Sequence, residues 1–168
     1  TVIGAGVQIG RGTSVGAHCV IQGPTSIGRE NRIFQFSSLG ADPQDMKYRG
    51  EPTRLSIGRR NVFREFVTIN RGTAESMKTT VGAGCFLMAY VHLAHDCHVG
   101  DGVIVSNGTQ FAGHVTVEDR AIVSGLCAVH QFVRIGRHAF IGGYSVVTRD
   151  AMPFAKTVGD RARIYGLN

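Results

Sequence analysis

Residues 81–147 read, hexad by hexad, VGAGCF LMAYVH LAHDCH VGDGVI VSNGTQ FAGHVT VEDRAI VSGLCA VHQFVR IGRHAF IGGYSV V. Each hexad opens on Val, Leu, Phe or Ile, and its fifth place holds a small or β-branched residue such as Cys85, Val91, Cys97, Val103 or Thr109. A period of six fits neither a 3.6-residue helix nor a meander of hairpins. It fits short strands joined by tight corners, with Gly and Asn supplying the positive φ that corners need. Three faces close a triangular coil after three hexads, and stacked coils pair about 4.8 Å apart. The expected fold is all-β, a parallel β-helix in the form of a triangular prism. One coil cannot bury its apolar side alone, but a stack can.

The same phase runs back to Ile3. Between residues 3 and 147 there are 25 hexad positions, and 22 carry Ile, Val, Leu or Phe. Asp45, Glu51 and Glu75 are the exceptions, so segments 41–56 and 74–80 are expected to protrude as loops from one domain spanning 1–168. The chain has 23 Gly among 168 residues. That is rich, but Gly does not recur at every third place as collagen requires. No apolar run approaches the ~18 residues of a membrane span, and no targeting signal is visible, so a cytoplasmic location is expected.

Lys and Arg exceed Asp and Glu by 18 to 12, a formal charge of +6. A scattered basic surface suits an acidic protein or a phosphorylated ligand. No aromatic-basic interleave or zinc-finger spacing points to nucleic acid. Cys19, Cys85, Cys97 and Cys127 share the small-residue slot and are expected to be core, since no CxxC pair offers a zinc knuckle.

Five of the seven histidines lie between 92 and 130. Stacked at three hexads per coil, His95, Gly113 and Gln131 form one column, and Asp96 and His114 the next. An imidazole can take a proton near neutral pH, an adjacent carboxylate can fix its tautomer, and a bare glycine amide can donate to an oxyanion. These are the parts that acyl transfer to a hydroxyl needs. A three-histidine zinc centre like that of γ-class carbonic anhydrases is the competing reading. His92 and His95 make a weak metal pair, because odd spacing on a strand turns the rings to opposite faces.

The repeat resembles the hexapeptide-repeat acyltransferase superfamily. The blocks His92-Leu93-Ala94-His95-Asp96-Cys97, Ala112-Gly113-His114-Val115 and Ala128-Val129-His130-Gln131-Phe132 are similar to the UDP-N-acetylglucosamine O-acyltransferases of lipid A biosynthesis. So are Gln44-Asp45-Met46-Lys47-Tyr48, Gly50-Glu51-Pro52-Thr53-Arg54, Ile69-Asn70-Arg71-Gly72-Thr73 and Ile141-Gly142-Gly143. The resemblance implies a left-handed coil, a homotrimer with clefts between prisms, and transfer of a 3-hydroxyacyl group from acyl carrier protein to the 3-hydroxyl of UDP-N-acetylglucosamine. It makes His95 the general base, Asp96 its orienting acid and Gly113 the oxyanion donor. Asp45 and Lys47 would touch the sugar nucleotide, and His92 and His114 sugar and acyl polar groups. Gln131 would help bind substrate, and His130 would support the site. Gly143 would leave the acyl groove open, and Asn168 would contact the nucleotide. No metal or organic cofactor is implied. The helical domain that follows the prism in this family is expected to be absent from this chain, which stops at Gly166-Leu167-Asn168. The related N-acyltransferase of the same pathway is the alternative within the class.

Overall fold

The computed structural model describes residues 1–160 and 163–167, and Asn168 lies outside them. Strands of two to five residues assemble into three sheets of eight, seven and nine strands, and no α-helix occurs among the described residues. Neighbours within a sheet run parallel and are three strands apart in sequence, except at the C-terminal end, where Phe140–Ile141 pairs in parallel with Ala155–Val158, two strands on, and Ala155–Val158 pairs antiparallel with Arg163–Leu167. Leu93 pairs with Phe111, Phe111 with Val129 and Val129 with Val147, so three hexads make one coil, as the period implies.

The inward side of each two-residue strand is the hexad position. Ile21, Leu39, Ile69, Leu93 and Phe111 are each at most 1% exposed in one sheet. Phe63, Leu87, Val105, Val123 and Ile141 are equally buried in another. The fifth-place residues fill the angles of the triangle. All four cysteines are buried there with free thiols. Burial pushes Cys85 up to about 11 and Cys97 up to about 12, so both thiols are neutral packing groups.

The corners differ from the sequence expectation. The usual left-handed position is the third after the hexad residue, and thirteen of the fifteen non-glycine residues with positive φ occupy it, among them His18, Asp96, His114 and Phe132. Many of the glycines that follow the hexad residue serve a different need. A Cβ on Gly58 would lie 2.5 Å from the Gly82 carbonyl oxygen of the coil above. There the absence of a side chain lets coils approach, and no left-handed φ is involved.

Two loops interrupt the spiral. Leu39 pairs with Ile69, five hexads on instead of three, so the first loop inserts two hexads. Ile57 pairs with Val81, four hexads on, so the second inserts one. Both insertions are whole hexads, which is why the sequence period stays in phase across them. The loops end earlier than 56 and 80, because Arg54–Ile57 and Lys78–Val81 are strands paired along their full length. Their inward residues, Leu55 and Thr79, are completely buried.

Candidate active site

His95 and Asp96 occupy the corner after the strand His92–Leu93. Adjacent residues on a strand face opposite ways. At this corner Asp96 takes φ 59°, and its carboxylate folds back onto the preceding ring. Oδ2 lies 2.8 Å from His95 Nδ1. This arrangement places the Nδ1 proton against the carboxylate and leaves Nε2 as the acceptor. The Asp96 side chain is fully buried, and the second loop supplies its other donors. Thr73 gives its N–H to Oδ1 at 2.9 Å and its hydroxyl to Oδ2 at 2.7 Å, while the Ser76 hydroxyl donates to Oδ1. Burial alone would push this carboxyl up. The hydrogen bonds from Ser76, Thr73 and His95 outweigh it and hold the group below the usual carboxylate range.

One coil above, Gly113 lies against the His95 ring. A Cβ there would be 2.6 Å from His95 Cε1 and 2.9 Å from Nε2. At three other corners the amide at this turn position caps a carboxylate. Ala83 donates to Asp101 at 2.7 Å, Asp101 to Asp119 at 2.8 Å, and Arg137 to Glu118 at 2.9 Å. The Gly113 N–H has no acceptor among the described residues. A base atom and a free donor suited to negative oxygen thus stand side by side.

His114, at φ 64°, meets His95 edge-on with ring centroids 5.2 Å apart, and stacks on Phe132 at 4.5 Å. Its Nε2 lies 3.5 Å from Glu75 and 3.6 Å from Asp96. His95, Asp96 and His114 bring one potential metal-ligand atom each within 4.8 Å of one another. Asp96 is already engaged by Thr73, Ser76 and His95, and His95 Nδ1 faces that carboxylate, so these donors bond to each other more readily than to an ion.

His95 borders two hollows. The first, about 580 Å³, lies beneath the first loop and is polar, with Asp45, Lys47, Glu75, His114 and Gln131 in its wall. The second, about 430 Å³, runs over the sheet face along Ala94, Phe111, Ala112, Gly113, Ala128 and Val129. Asp45 Oδ1 accepts the Lys47 N–H at 2.9 Å, which shapes the tip of the loop. His92 sits beside the second hollow, half-buried, with Nδ1 2.7 Å from the Thr68 hydroxyl. His130 is exposed, with Nδ1 3.2 Å from the Gln131 carbonyl. Gly143 stands at a different corner, above Gly125 and away from His95. Nothing in the sequence singles out Thr73, Glu75 or Ser76 as site residues. The only signal available is the insertion of one hexad at the level of a buried aspartate.

Burial holds His92 and His98 below the usual imidazole value, with His95 adding to the effect at His92 and Lys78 at His98. Above about pH 6.5 both rings are neutral whether the chain is folded or not. Below it the unfolded chain takes the protons first, so stability falls with pH toward the lower native values. Asp96 acts in a separate window. Its contribution is complete above about pH 4 and is lost as pH falls through its depressed native value. The melting temperature should therefore drop between pH 7 and pH 5, and His92→Gln should flatten part of that drop in calorimetric scans. An unchanged slope in the variant would remove His92 from the account.

The model for the bacterial transferase hexapeptide (six repeats) matches residues 78–113. The acyl-[acyl-carrier-protein]–UDP-N-acetylglucosamine O-acyltransferase of Verminephrobacter eiseniae is 54% identical over 150 residues, which are 89% of this chain and 57% of that one. The chain thus spans little more than half of that curated relative. The solved UDP-N-acetylglucosamine acyltransferase of Francisella novicida is 40% identical, with TM-score 0.97 over 99% of this chain and 62% of its own. That of Campylobacter jejuni is 36% identical, with TM-score 0.89 over 99% and 72%. With these likenesses the architecture is the left-handed parallel β-helix. On fold, repeat and sequence identity together, the chain belongs to the family of UDP-N-acetylglucosamine O-acyltransferases.

Proposed function

We propose that this chain carries the catalytic prism of an enzyme that moves a 3-hydroxyacyl group from acyl carrier protein to the 3-hydroxyl of UDP-N-acetylglucosamine. The observation that carries this reading is the trio of His95, its carboxylate Asp96 and the free amide of Gly113, set between a polar and an apolar hollow. His95 Nε2 takes the proton of the sugar hydroxyl, and the alkoxide attacks the thioester carbonyl. The Gly113 N–H steadies the tetrahedral oxyanion, and collapse breaks the C–S bond while the His95 imidazolium returns its proton to the departing carrier sulfur, which leaves as the thiol. Asp96 stabilises the imidazolium that forms in between. The polar hollow, with Asp45, Lys47, His114 and Gln131, suits the sugar nucleotide. The groove along Ala94, Ala112 and Ala128 suits the start of the acyl chain, with His92 at its edge. His130, Gly143 and Asn168 keep their inferred roles as support, acyl-length determinant and nucleotide contact.

Association as a homotrimer is part of the proposal. Phe36, Phe66 and Tyr90 stack as an exposed row, with ring centroids 5.1 and 4.7 Å apart, and Leu126 and Tyr144 are exposed further along the chain. An isolated prism leaves this apolar surface in water. The +6 charge, repeated threefold, would steer an acidic carrier protein. Among the described residues no helix is long and apolar enough to cross a membrane, and a cytoplasmic location is part of the reading.

The test is an assay of the full-length protein with UDP-N-acetylglucosamine and 3-hydroxyacyl carrier proteins of graded length, the product mapped by mass. Attachment at the sugar 3-hydroxyl is expected, and absence of any acyl sugar nucleotide sinks the proposal. The relatives' names favour O-acyl transfer over N-acyl transfer or zinc-dependent hydration. Gly113→Ala should lower kcat about tenfold or more, because its methyl displaces the His95 ring. The melting temperature should hold, and wild-type kcat in this variant would show that the ring does not need its present seat.

A further inference from the structure

Segment 71–77, the shorter insertion, grips both halves of the site. One end holds the carboxylate behind the base. Three of the four hydrogen bonds to Asp96 described above come from Thr73 and Ser76, and Thr73 is itself only 8% exposed. No Lys or Arg pairs with this fully buried side chain among the described residues. Hydroxyl and amide donors from the loop do the work that a cation would otherwise do. The carboxylate orientation toward His95 Nδ1 therefore depends on a segment outside the repeat.

The other end holds the first loop. The Arg71 guanidinium is largely buried and reaches four acceptors at the root of that loop. It pairs with the Asp42 carboxylate and donates to the Tyr48 hydroxyl at 2.9 Å, and to the carbonyls of Gly23 and Gly40 at 3.2 Å each. Tyr48 in turn donates its hydroxyl to the Glu51 carbonyl at 3.0 Å. Asp45 and Lys47 lie between Asp42 and Tyr48, so the arm that closes over the polar hollow is seated on Arg71.

We propose that residues 71–77 form a bracket, with Thr73 and Ser76 as positioning residues for the Asp96–His95 pair and Arg71 as the positioning residue for the Asp45–Lys47 arm. The bracket fixes the distance between the base and the arm by joining both through one short run of backbone. Its catalytic consequence rests on the acyltransferase reading, but its structural consequence does not.

The test therefore has two parts, both on the full-length protein. In the first, no substrate is present. The Asp96 carboxyl is titrated by carbon NMR, and the His95 Nδ1 proton is followed as a downfield resonance. The titratable groups facing Asp96 are His95 and His114, with Glu75 beyond His114 and Cys97 and His98 on the next stretch of chain, and these stay in place in the variants. Ser76→Ala should raise the Asp96 pKa and broaden or shift the Nδ1 resonance, and Ser76→Thr should restore both. Arg71→Met should leave that resonance in place and speed trypsin cleavage after Lys47 and Arg49 about fivefold or more, since the arm loses its seat.

The second part is steady-state kinetics. Ser76→Ala should lower kcat about tenfold with KM for the sugar nucleotide held, as expected for losing one hydrogen bond to a charged group. Arg71→Met should raise that KM about tenfold with kcat nearly held. An unmoved Asp96 titration in Ser76→Ala, or parallel falls in kcat and rise in KM in both variants, overturns the bracket. If the wild type transfers no acyl group while the NMR and cleavage changes occur, the bracket stands and the acyltransferase reading falls.

Discussion

Replacing His95 by alanine removes turnover and leaves the prism standing. A positioned general base contributes about 10²–10⁴ in rate, and the variant should sit near 10³ below wild type. The side chain lies at the edge of two hollows, 14% exposed, and carries none of the apolar core. Its loss leaves Asp96 bonded to Thr73 and Ser76, so no charge is stranded. The melting temperature should stay within about 2 °C, and KM for the sugar nucleotide within about threefold, because Asp45, Lys47 and Gln131 still form the polar wall. Steady-state kinetics beside a thermal melt decide the matter. Activity above a tenth of wild type would take the role of base away from His95.

Phe63→Ala should do the opposite, unsettling the stack while sparing the chemistry. Phe63 is completely buried, paired with Ile33 on one side and Leu87 on the other. Truncating a buried phenylalanine costs about 3–5 kcal/mol, part transfer and part cavity. The aliphatic neighbours are held by backbone ladders above and below, so collapse into the void is limited. In a chain of this size the loss lowers the melting temperature by about 10 °C. Phe63→Leu, which keeps more of the volume, should recover much of it. Below the melting range kcat should equal wild type, because Phe63 belongs to the sheet that does not carry the His95 strand. A loss under about 1 kcal/mol in urea titration would mean the core closes over the gap.

Much of this was legible in the residues. From Ile21 onward the apolar hexad positions are buried, and the cysteines of the fifth place lie where packing alone explains them. The column of His95, Gly113 and Gln131 follows from three hexads per coil and is present. What the repeat hid was the path of the second loop, not its presence. Glu75 broke the pattern, yet nothing in the period says where an interrupted segment returns to the prism. Thr73 and Ser76 reach Asp96 through the path of the loop, and a path has no signature in composition. The corner residues misled in another way. Left-handed φ is usually left to glycine, because a Cβ crowds the following carbonyl. Here His18, Asp96, His114 and Phe132 accept it, and ring stacking between successive corners accompanies it at His18 and His114.

The sequence by itself determined the period, the coil length, the inward face and the column that carries His95, because each hexad faces the same steric problem and solves it with the same residue types. Tertiary structure alone decided that Asp96 turns back onto His95, that two loops meet through Arg71, and that Gly113 keeps a free amide against the ring. Those outcomes depend on contacts between segments far apart in the chain, and they are set by which groups a buried charge can reach once the spiral has closed.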